Sequence, residues 1–185
     1  ILKPTSGEVL VDNEPITRTI SKKIAYMSDI NELYLPTVKD NIDYFTKLYK
    51  DYDKGKLMEI INSLNISLDK EVKGLSKGQT IIIRFALTVS RNVNYYIFDE
   101  PLSGLDPVFR DSFIKRLSDY RKENPQATII ITSHMLKEIQ DLLDEVIAIY
   151  FAKILAYDKK ENILRENKDL ESWFKQQYIN AGISF

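Results

Sequence analysis

The chain has 185 residues, 44% hydrophobic and 29% charged, which suffices for one well-packed domain and is too short to predict two. A formal net charge of -1 gives no basic surface for phosphate neutralisation, so we exclude nucleic acid as the primary partner. Because cysteine is absent, disulfides and thiolate metal sites are excluded, and no apolar run approaches the ~20 residues of a membrane span.

The first elements along the chain are short strands followed by helices. Strands are predicted over residues 7–12, after a Pro-Thr-Ser-Gly turn, and over residues 23–27. The apolar spacing then becomes helical, which predicts helices over residues 38–49, over residues 54–64 and after Ser76.

The second half of the chain alternates strands with helices. Strands are predicted at residues 95–98, 127–132 and 146–150, and helices at residues 107–121 and 135–143. This alternation predicts βαβ units around a parallel sheet, and therefore an α/β fold. In the tail, residues 169–179 form a helical pattern with one apolar face, which we expect to pack back on the core. That face consists of Leu170, Trp173, Phe174 and Tyr178.

The most informative segment is the apolar strand at residues 95–98, which ends in the adjacent carboxylates Asp99 and Glu100 and a proline. Ligands of parallel α/β sheets bind at the carboxyl ends of strands, where two acids suit Mg²⁺ binding and water activation. Alone, the pattern is more often a solvated turn after a core strand. Asp106, one residue before a proline, is likewise a good helix N-cap that needs no further function.

Taken in order, these segments resemble a known family. A strand ending in Asp-Glu-Pro, followed by Ser-Gly-Leu-Asp at residues 103–106, resembles the Walker B motif and D-loop of ABC transporter ATP-binding subunits. The run Leu-Ser-Lys-Gly-Gln at residues 75–79 resembles the signature motif of the same family, with Lys77 where glycine is commoner.

The signature-like run also has a purely structural interpretation, because Ser76 and Gln79 form a capping box. That interpretation does not explain Gly78, which disfavours the first helical turn by about 1 kcal/mol relative to Ala. A bare backbone at Gly78 would let a phosphate approach the free N–H groups and positive dipole end of the helix.

Two further residues fit the family order. His134 is the only histidine, and its spacing from the two carboxylates matches the family's switch histidine, although a lone histidine is usually structural. Asp29 stands where the family usually has the glutamine of the Q-loop; an ionised Asp can bind Mg²⁺ but cannot donate a hydrogen bond. A second departure is Ala152, where the family's closing hairpin usually has glycine.

The resemblance implies a P-loop NTPase-like parallel core sheet with an inserted helical subdomain over about residues 35–92, in a nucleotide-binding domain spanning residues 1–185. It implies the ATP-hydrolysing motor subunit of an ABC transporter, an ATPase with ATP and Mg²⁺ as cofactors. It implies Asp99 and Asp29 as metal-binding residues, Glu100 as the general base for water and His134 as the catalytic residue that orients the γ-phosphate. The residues implied to bind nucleotide held by the opposite subunit are Ser76, Lys77, Gly78 and Gln79, together with Asp106, which is implied to couple the two subunits across their interface.

The implied partners are a transmembrane permease and a second ATP-binding subunit, in a homo- or heterodimer at the cytoplasmic face of the membrane. Leu33-Tyr34, the run at residues 37–41 and the compact C terminus resemble subunits of bacterial ABC-2 exporters of peptide, antibiotic or lipid-like cargo. Two alternatives stay open: an ABC ATPase serving translation or DNA repair, and a degenerate subunit that supports a catalytic partner.

An aromatic-rich edge is the expected docking place for the permease's coupling helix. We expect a partly exposed apolar groove there, and the alternative is that the same side chains form the core of the helical subdomain. The edge consists of Leu33, Tyr34, Leu35, Tyr44 and Phe45.

One part of the family pattern is missing, because none of the six glycines belongs to a Gly-x-x-x-x-Gly-Lys-[Ser/Thr] phosphate-binding loop. The chain also opens without Met, and we interpret it as a fragment that lacks an N-terminal β segment and this loop. If the lacking segment belongs to the folded protein, we expect a strand-sized vacancy at an open edge of the strand at residues 95–98.

The chain alone is therefore expected to bind Mg-ATP negligibly and to be inactive as an ATPase. Backbone N–H groups and a lysine around the β- and γ-phosphates supply most of the affinity of such sites, and carboxylates alone repel ATP. Calorimetric titration of the 185-residue chain with Mg-ATP measures this. Stoichiometric binding at micromolar concentration would contradict the expectation.

Overall fold

The computed structural model describes residues 4–16, 22–30 and 33–182. The strands of this part are β1 (Leu10–Val11), β2 (Glu14–Pro15), β3 (Ile24–Met27), β4 (Tyr95–Asp99), β5 (Thr128–Thr132), β6 (Glu145–Tyr150) and β7 (Lys153–Lys159). The helices are α1 (Val38–Leu48), α2 (Lys54–Asn62), α3 (Lys77–Val89), α4 (Pro107–Glu123), α5 (Leu136–Ile139), α6 (Lys160–Glu166) and α7 (Leu170–Asn180). Most predicted elements are confirmed, with boundaries shifted by a few residues.

The central sheet has the strand order β3-β4-β5, and each strand runs parallel to the strand beside it. The α/β prediction is thus confirmed. The register pairs Asp99 with Thr132, so both residues reach the same edge of the sheet. The expectation that the strand at residues 95–98 has an open edge is wrong, because β4 lies in the middle and pairs with β3 on one side and β5 on the other.

Two antiparallel hairpins accompany this sheet. The strand predicted over residues 7–12 is instead the β1-β2 hairpin, whose turn residues Asp12 and Asn13 have φ values of 55° and 62°. The β6-β7 hairpin turns at Phe151 and Ala152, with φ values of 44° and 58°. Both positions of this second turn are left-handed, which explains why glycine is expected where the chain has Ala152.

Helices α1 and α2 begin at side-chain caps. The Thr37 hydroxyl accepts from the Asp40 N–H at 3.1 Å, and the Asp40 carboxylate accepts from the Thr37 N–H at 3.2 Å, which completes a capping box. The fully buried Asn41 donates to the Leu35 carbonyl at 2.9 Å and accepts from the Leu35 N–H at 3.1 Å. This amide therefore fastens the entry loop to the first turn of α1.

Helix α3 is mostly apolar after its first turn, and every residue from Ile81 to Val89 is buried, including Arg84 and Thr88. One side, including Ile82 and Phe85, packs with β3, β4 and α4 in the main core cluster. Another side, including Ile83 and Leu87, packs with α1 and α2 in a second cluster. A helix that is buried on all sides is expected from such a sequence.

The C-terminal elements form a third cluster on the β6-β7 hairpin. Leu170 and Trp173 of α7 are buried there, together with Ile163 of α6. Phe174 and Tyr178 lie next to each other, with ring centroids 4.9 Å apart. The predicted apolar face of the tail is confirmed, but it packs on the hairpin and α6 rather than on the central sheet, and neither β7 nor α6 was predicted.

None of the helices in the described ranges combines the length and the apolar character that crossing a bilayer requires.

Candidate functional site

A cleft with a volume of about 560 Å³ opens at the carboxyl ends of the three parallel strands. Its walls come from the segments that follow β3, β4 and β5 and from the beginning of α3. Four of the residues singled out from the sequence line it, namely Asp29, Lys77, Glu100 and His134. The carboxyl edge of a parallel sheet is the usual place for a ligand in this class of fold.

Asp99 ends β4 and is held by hydroxyl groups from both neighbouring strands. Its Oδ1 accepts from Thr132 Oγ1 at 2.5 Å, and its Oδ2 accepts from Tyr26 Oη at 3.0 Å. Partial burial and the adjacent Asp99 carboxylate both raise the pKa of Tyr26, which keeps this phenol protonated as a donor. Sequence analysis did not identify Tyr26 or Thr132, because their partner lies on another strand.

Glu100 has a left-handed backbone, with φ at 44°, an uncommon conformation for a residue that is not glycine. Its N–H donates to the Thr132 carbonyl at 3.1 Å and to Thr132 Oγ1 at 3.0 Å, so the turn is fastened to β5. Its Oε2 lies 2.8 Å from Nδ1 of His134. The structure thus brings together the two side chains to which sequence analysis assigned catalysis.

Asp29 is exposed on the wall of the cleft, where it accepts a hydrogen bond from the Ser28 hydroxyl at 3.3 Å. Behind it, the buried Arg84 of α3 donates to the Ser28 carbonyl. Arg84 is the one charged residue in the apolar stretch from Ile81 to Val89. This break in the apolar pattern is the sequence signal that could have identified Arg84 as a residue of the cleft.

The donor set suits Mg²⁺ only in part. Within residues 4–16, 22–30 and 33–182, no three Asp, Glu or His side chains come close enough to enclose a metal ion. Mg²⁺ typically uses one or two carboxylates and completes its shell with water and substrate phosphates. Each Asp99 oxygen retains a second lone pair beside its hydroxyl partner, so Asp99 can serve as such a ligand.

The signature-like run forms the predicted capping box. Ser76 Oγ accepts from the Gln79 N–H at 3.1 Å, and Gln79 Oε1 accepts from the Ser76 N–H at 3.1 Å. Lys77 extends over Gly104, where an added Cβ would lie 2.2 Å from the lysine Nζ. Ser76 and Gln79 therefore stabilise the helix, and the members of the run that line the cleft are Leu75 and Lys77.

Gly78 has a structural role that sequence analysis did not reveal. It is buried, and a Cβ at this position would lie 2.1 Å from Cγ of Phe109 in the first turn of α4. The capping box does not explain this glycine, whereas the Phe109 ring does, because it occupies the space of a side chain.

Asp106 caps α4, as its place before Pro107 predicts. Its Oδ1 accepts from the Phe109 N–H at 3.1 Å. The side chain is exposed and does not line the cleft. The cap thereby fixes the helix turn that carries Phe109 against Gly78.

Replacing Gly78 by Ala tests this packing. We expect Gly78→Ala to lower the free energy of unfolding by about 1–3 kcal/mol, because the new methyl group overlaps the Phe109 ring. In a Phe109→Ala background the same change should be neutral or stabilising by up to about 1 kcal/mol, since Ala favours a helix. Urea unfolding of the four proteins in this cycle measures both effects.

Gly74→Ala is the matched control, because its added Cβ would meet only Lys70 Cε at 3.9 Å. A Gly78→Ala cost that persists without the Phe109 ring would contradict the steric explanation.

Comparison with known proteins places this geometry in a family. The family model described as "ABC transporter" matches residues 1–103. The teichoic acids export ATP-binding protein TagH of Lactococcus lactis is 31% identical over 125 residues, which are 66% of this chain and 26% of TagH. The energy-coupling factor transporter ATP-binding protein EcfA2 of Clostridium tetani is 27% identical, over 93% of this chain and 65% of EcfA2. The ABC transporter ATP-binding protein NatA of Bacillus subtilis is 26% identical, over 100% of this chain and 78% of NatA.

Solved structures agree in fold. An ATP-binding subunit of an ABC transporter superposes with a TM-score of 0.76 at 17% identity, over 97% of this chain and 78% of that chain. CbiO1 from Clostridium perfringens, part of the ABC transporter complex CbiONQ, superposes with a TM-score of 0.69 at 24% identity, over 97% of this chain and 74% of that chain. This chain spans about a quarter of the length of TagH and about two thirds of that of EcfA2. Since the family model covers 103 of the 185 residues, the chain belongs to the ABC transporter family. EcfA2 and NatA, two of its relatives, are both named as ATP-binding proteins.

Proposed function

We propose that the chain supplies the catalytic carboxylates of an ATP-hydrolysing motor subunit, with residues 35–92 as its helical subdomain. The observation that carries the proposal is the 2.8 Å contact between Glu100 and His134 in the cleft, directly after the Asp99 that ends β4. Two further observations support it: the membership of the family and the position of the cleft at the carboxyl edge of the sheet.

In this proposal Glu100 is the general base that accepts a proton from the attacking water. An ionised carboxylate can only accept hydrogen bonds, so the proton between Glu100 and His134 resides on Nδ1 of the imidazole. His134 thereby fixes the direction of the Glu100 carboxylate, and we assign its other ring nitrogen, Nε2, to the γ-phosphate.

Asp99 and Asp29 are the carboxylates that we assign to Mg²⁺, which neutralises phosphate charge when bound with ATP. Lys77 lines the same cleft from α3 and supplies a positive charge there. The other signature-like residues, Ser76, Gly78 and Gln79, hold the start of α3 in place, and we propose that its free N–H groups serve nucleotide across a dimer interface. Asp106 is proposed to couple that interface to α4.

Replacing Glu100 by Gln tests the proposal in the complete subunit. Gln keeps the size of the side chain but cannot accept the proton, so turnover should slow by roughly 10²–10⁴-fold while ATP binding survives. Glu166→Gln at the exposed end of α6 is the matched control and should retain full activity. Unchanged steady-state ATP hydrolysis in Glu100→Gln would remove Glu100 from the mechanism.

We further propose a transmembrane permease as a partner, which would place the subunit at the cytoplasmic face of the membrane. Of the five residues of the aromatic-rich edge, Tyr34 and Tyr44 are 65% and 46% exposed, whereas Leu33 is buried. Ile30 and Leu48 are exposed as well, at 62% and 54%. The exposure of these large apolar side chains supports a protein contact at this edge.

Substitutions on this edge test the docking site. Tyr34→Ser and Tyr44→Ser should each weaken co-purification of the permease by roughly tenfold, since aromatic anchors dominate such interfaces. Ile179→Ser on α7 removes an equally exposed apolar side chain elsewhere and should leave the complex intact. Retention of the permease by the tyrosine double variant, with an unchanged melting temperature, would contradict docking at this edge.

The names of the relatives bear on the class of the transported cargo. We propose export of peptide, antibiotic or lipid-like cargo, which the name of TagH, a teichoic acids export protein, supports. EcfA2, in contrast, is named for an energy-coupling factor transporter.

A further inference from the structure

The hydrogen bonds around Asp99 join all three strands of the central sheet at their carboxyl ends. Thr132 lies opposite Asp99 in the β4-β5 register, and Tyr26 lies opposite Ile97, two residues before Asp99. Since residues two apart on a strand share a face, the side chains of Tyr26, Asp99 and Thr132 stand on the same face of the sheet. The length of a tyrosine spans this diagonal, and its hydroxyl reaches Asp99 Oδ2 at 3.0 Å.

Both oxygens of the carboxylate are thereby fixed by separate donors. Tyr26 donates to Oδ2 from β3, and Thr132 donates to Oδ1 from β5 at 2.5 Å. Two donors from opposite sides define the plane of the carboxylate, which a single donor would leave free to rotate. Each oxygen still has one lone pair available for a metal ion.

Thr132 also connects Asp99 to Glu100. Its Oγ1 accepts the Glu100 N–H at 3.0 Å while it donates to Asp99. The same hydroxyl therefore orients the carboxylate assigned to the metal and fastens the left-handed residue that carries the proposed general base.

We propose that Tyr26 and Thr132 are positioning residues for the metal site: Tyr26 aligns Asp99 alone, whereas Thr132 aligns Asp99 and Glu100 together. This inference rests on the proposed function. It predicts different consequences for the two hydroxyl groups, although both contact the same carboxylate.

The test is a titration of the complete subunit with Mn²⁺ in the presence of a non-hydrolysable ATP analogue, with free Mn²⁺ measured by electron paramagnetic resonance. Tyr26→Phe should weaken Mn²⁺ binding by roughly tenfold, as expected when a residue that orients a metal ligand is lost. The turnover rate at saturating Mn²⁺ and the melting temperature should stay close to those of the wild type. Tyr157→Phe is the matched control, because it removes a tyrosine-carboxylate hydrogen bond to Glu145 on the β6-β7 hairpin.

Thr132 is tested by two variants. Thr132→Val removes the hydroxyl at constant shape and should weaken Mn²⁺ binding and also slow turnover at saturating Mn²⁺, each by roughly tenfold or more. Thr132→Ser keeps the hydroxyl and should restore both quantities. If Thr132→Val does not fold, the comparison of Tyr26→Phe with Tyr157→Phe decides the inference by itself.

The outcomes separate the inference from the proposed function. Wild-type ATP hydrolysis together with an unchanged Mn²⁺ affinity in Tyr26→Phe overturns the inference and leaves the proposed function standing. A fall in melting temperature without a change in Mn²⁺ affinity shows a structural role only and overturns it too. A wild-type subunit that neither hydrolyses ATP nor binds Mn²⁺ with the analogue removes both.

Discussion

The burial of α3 is the constraint on which the other elements depend. The helix is enclosed from Ile81 to Val89, and two of the three core clusters contain its side chains. A helix shared by two clusters cannot shift without disturbing both, because protein interiors are close-packed. Packing of the rest of the helix therefore fixes the position of the start of α3, where Ser76 and Gln79 form the capping box.

The carboxyl end of β4 is the second fixed point of the cleft. A left-handed residue that is not glycine costs about 1–3 kcal/mol, and it persists only where its surroundings determine it. At Glu100, two hydrogen bonds from the backbone N–H to Thr132 hold the left-handed conformation in place. The strained turn directs the Glu100 side chain to His134, so the backbone conformation and the proposed chemistry are linked through a residue on a neighbouring strand.

Sequence analysis predicted the parallel sheet and most helices and named Glu100 and His134 as candidate site residues, because periodicity and motif order carry these features; their 2.8 Å contact appears only in the structure. It missed contacts that depend on the register between strands: Tyr26 lies 73 residues from Asp99 along the chain. It also misplaced the open edge of the sheet. The apolar pattern of a single strand does not reveal which other strands pair with it, so the order β3-β4-β5 could not be predicted from that pattern.

Gly78 illustrates a different limit. Sequence analysis noted that glycine is unfavourable in the first turn of a helix, and it explained Gly78 by the access of a phosphate to the backbone. The structure supplies the Phe109 ring, which belongs to a helix that begins 29 residues further on. A close approach between two helices and a close approach of a ligand both require a missing side chain, so composition alone does not separate them.

The packing around Gly78 also ties together segments that the proposed function assigns to separate tasks. Phe109 covers Gly78, and the Lys77 amine lies on Gly104, so the start of α3 and the segment before α4 form one packed unit. Arg110 in the same turn of α4 donates to the Leu105 carbonyl at 3.2 Å and pairs with Glu138 of α5 at 3.2 Å. Since α5 begins two residues after His134, contacts within this chain connect the start of α3 to the Glu100-His134 pair.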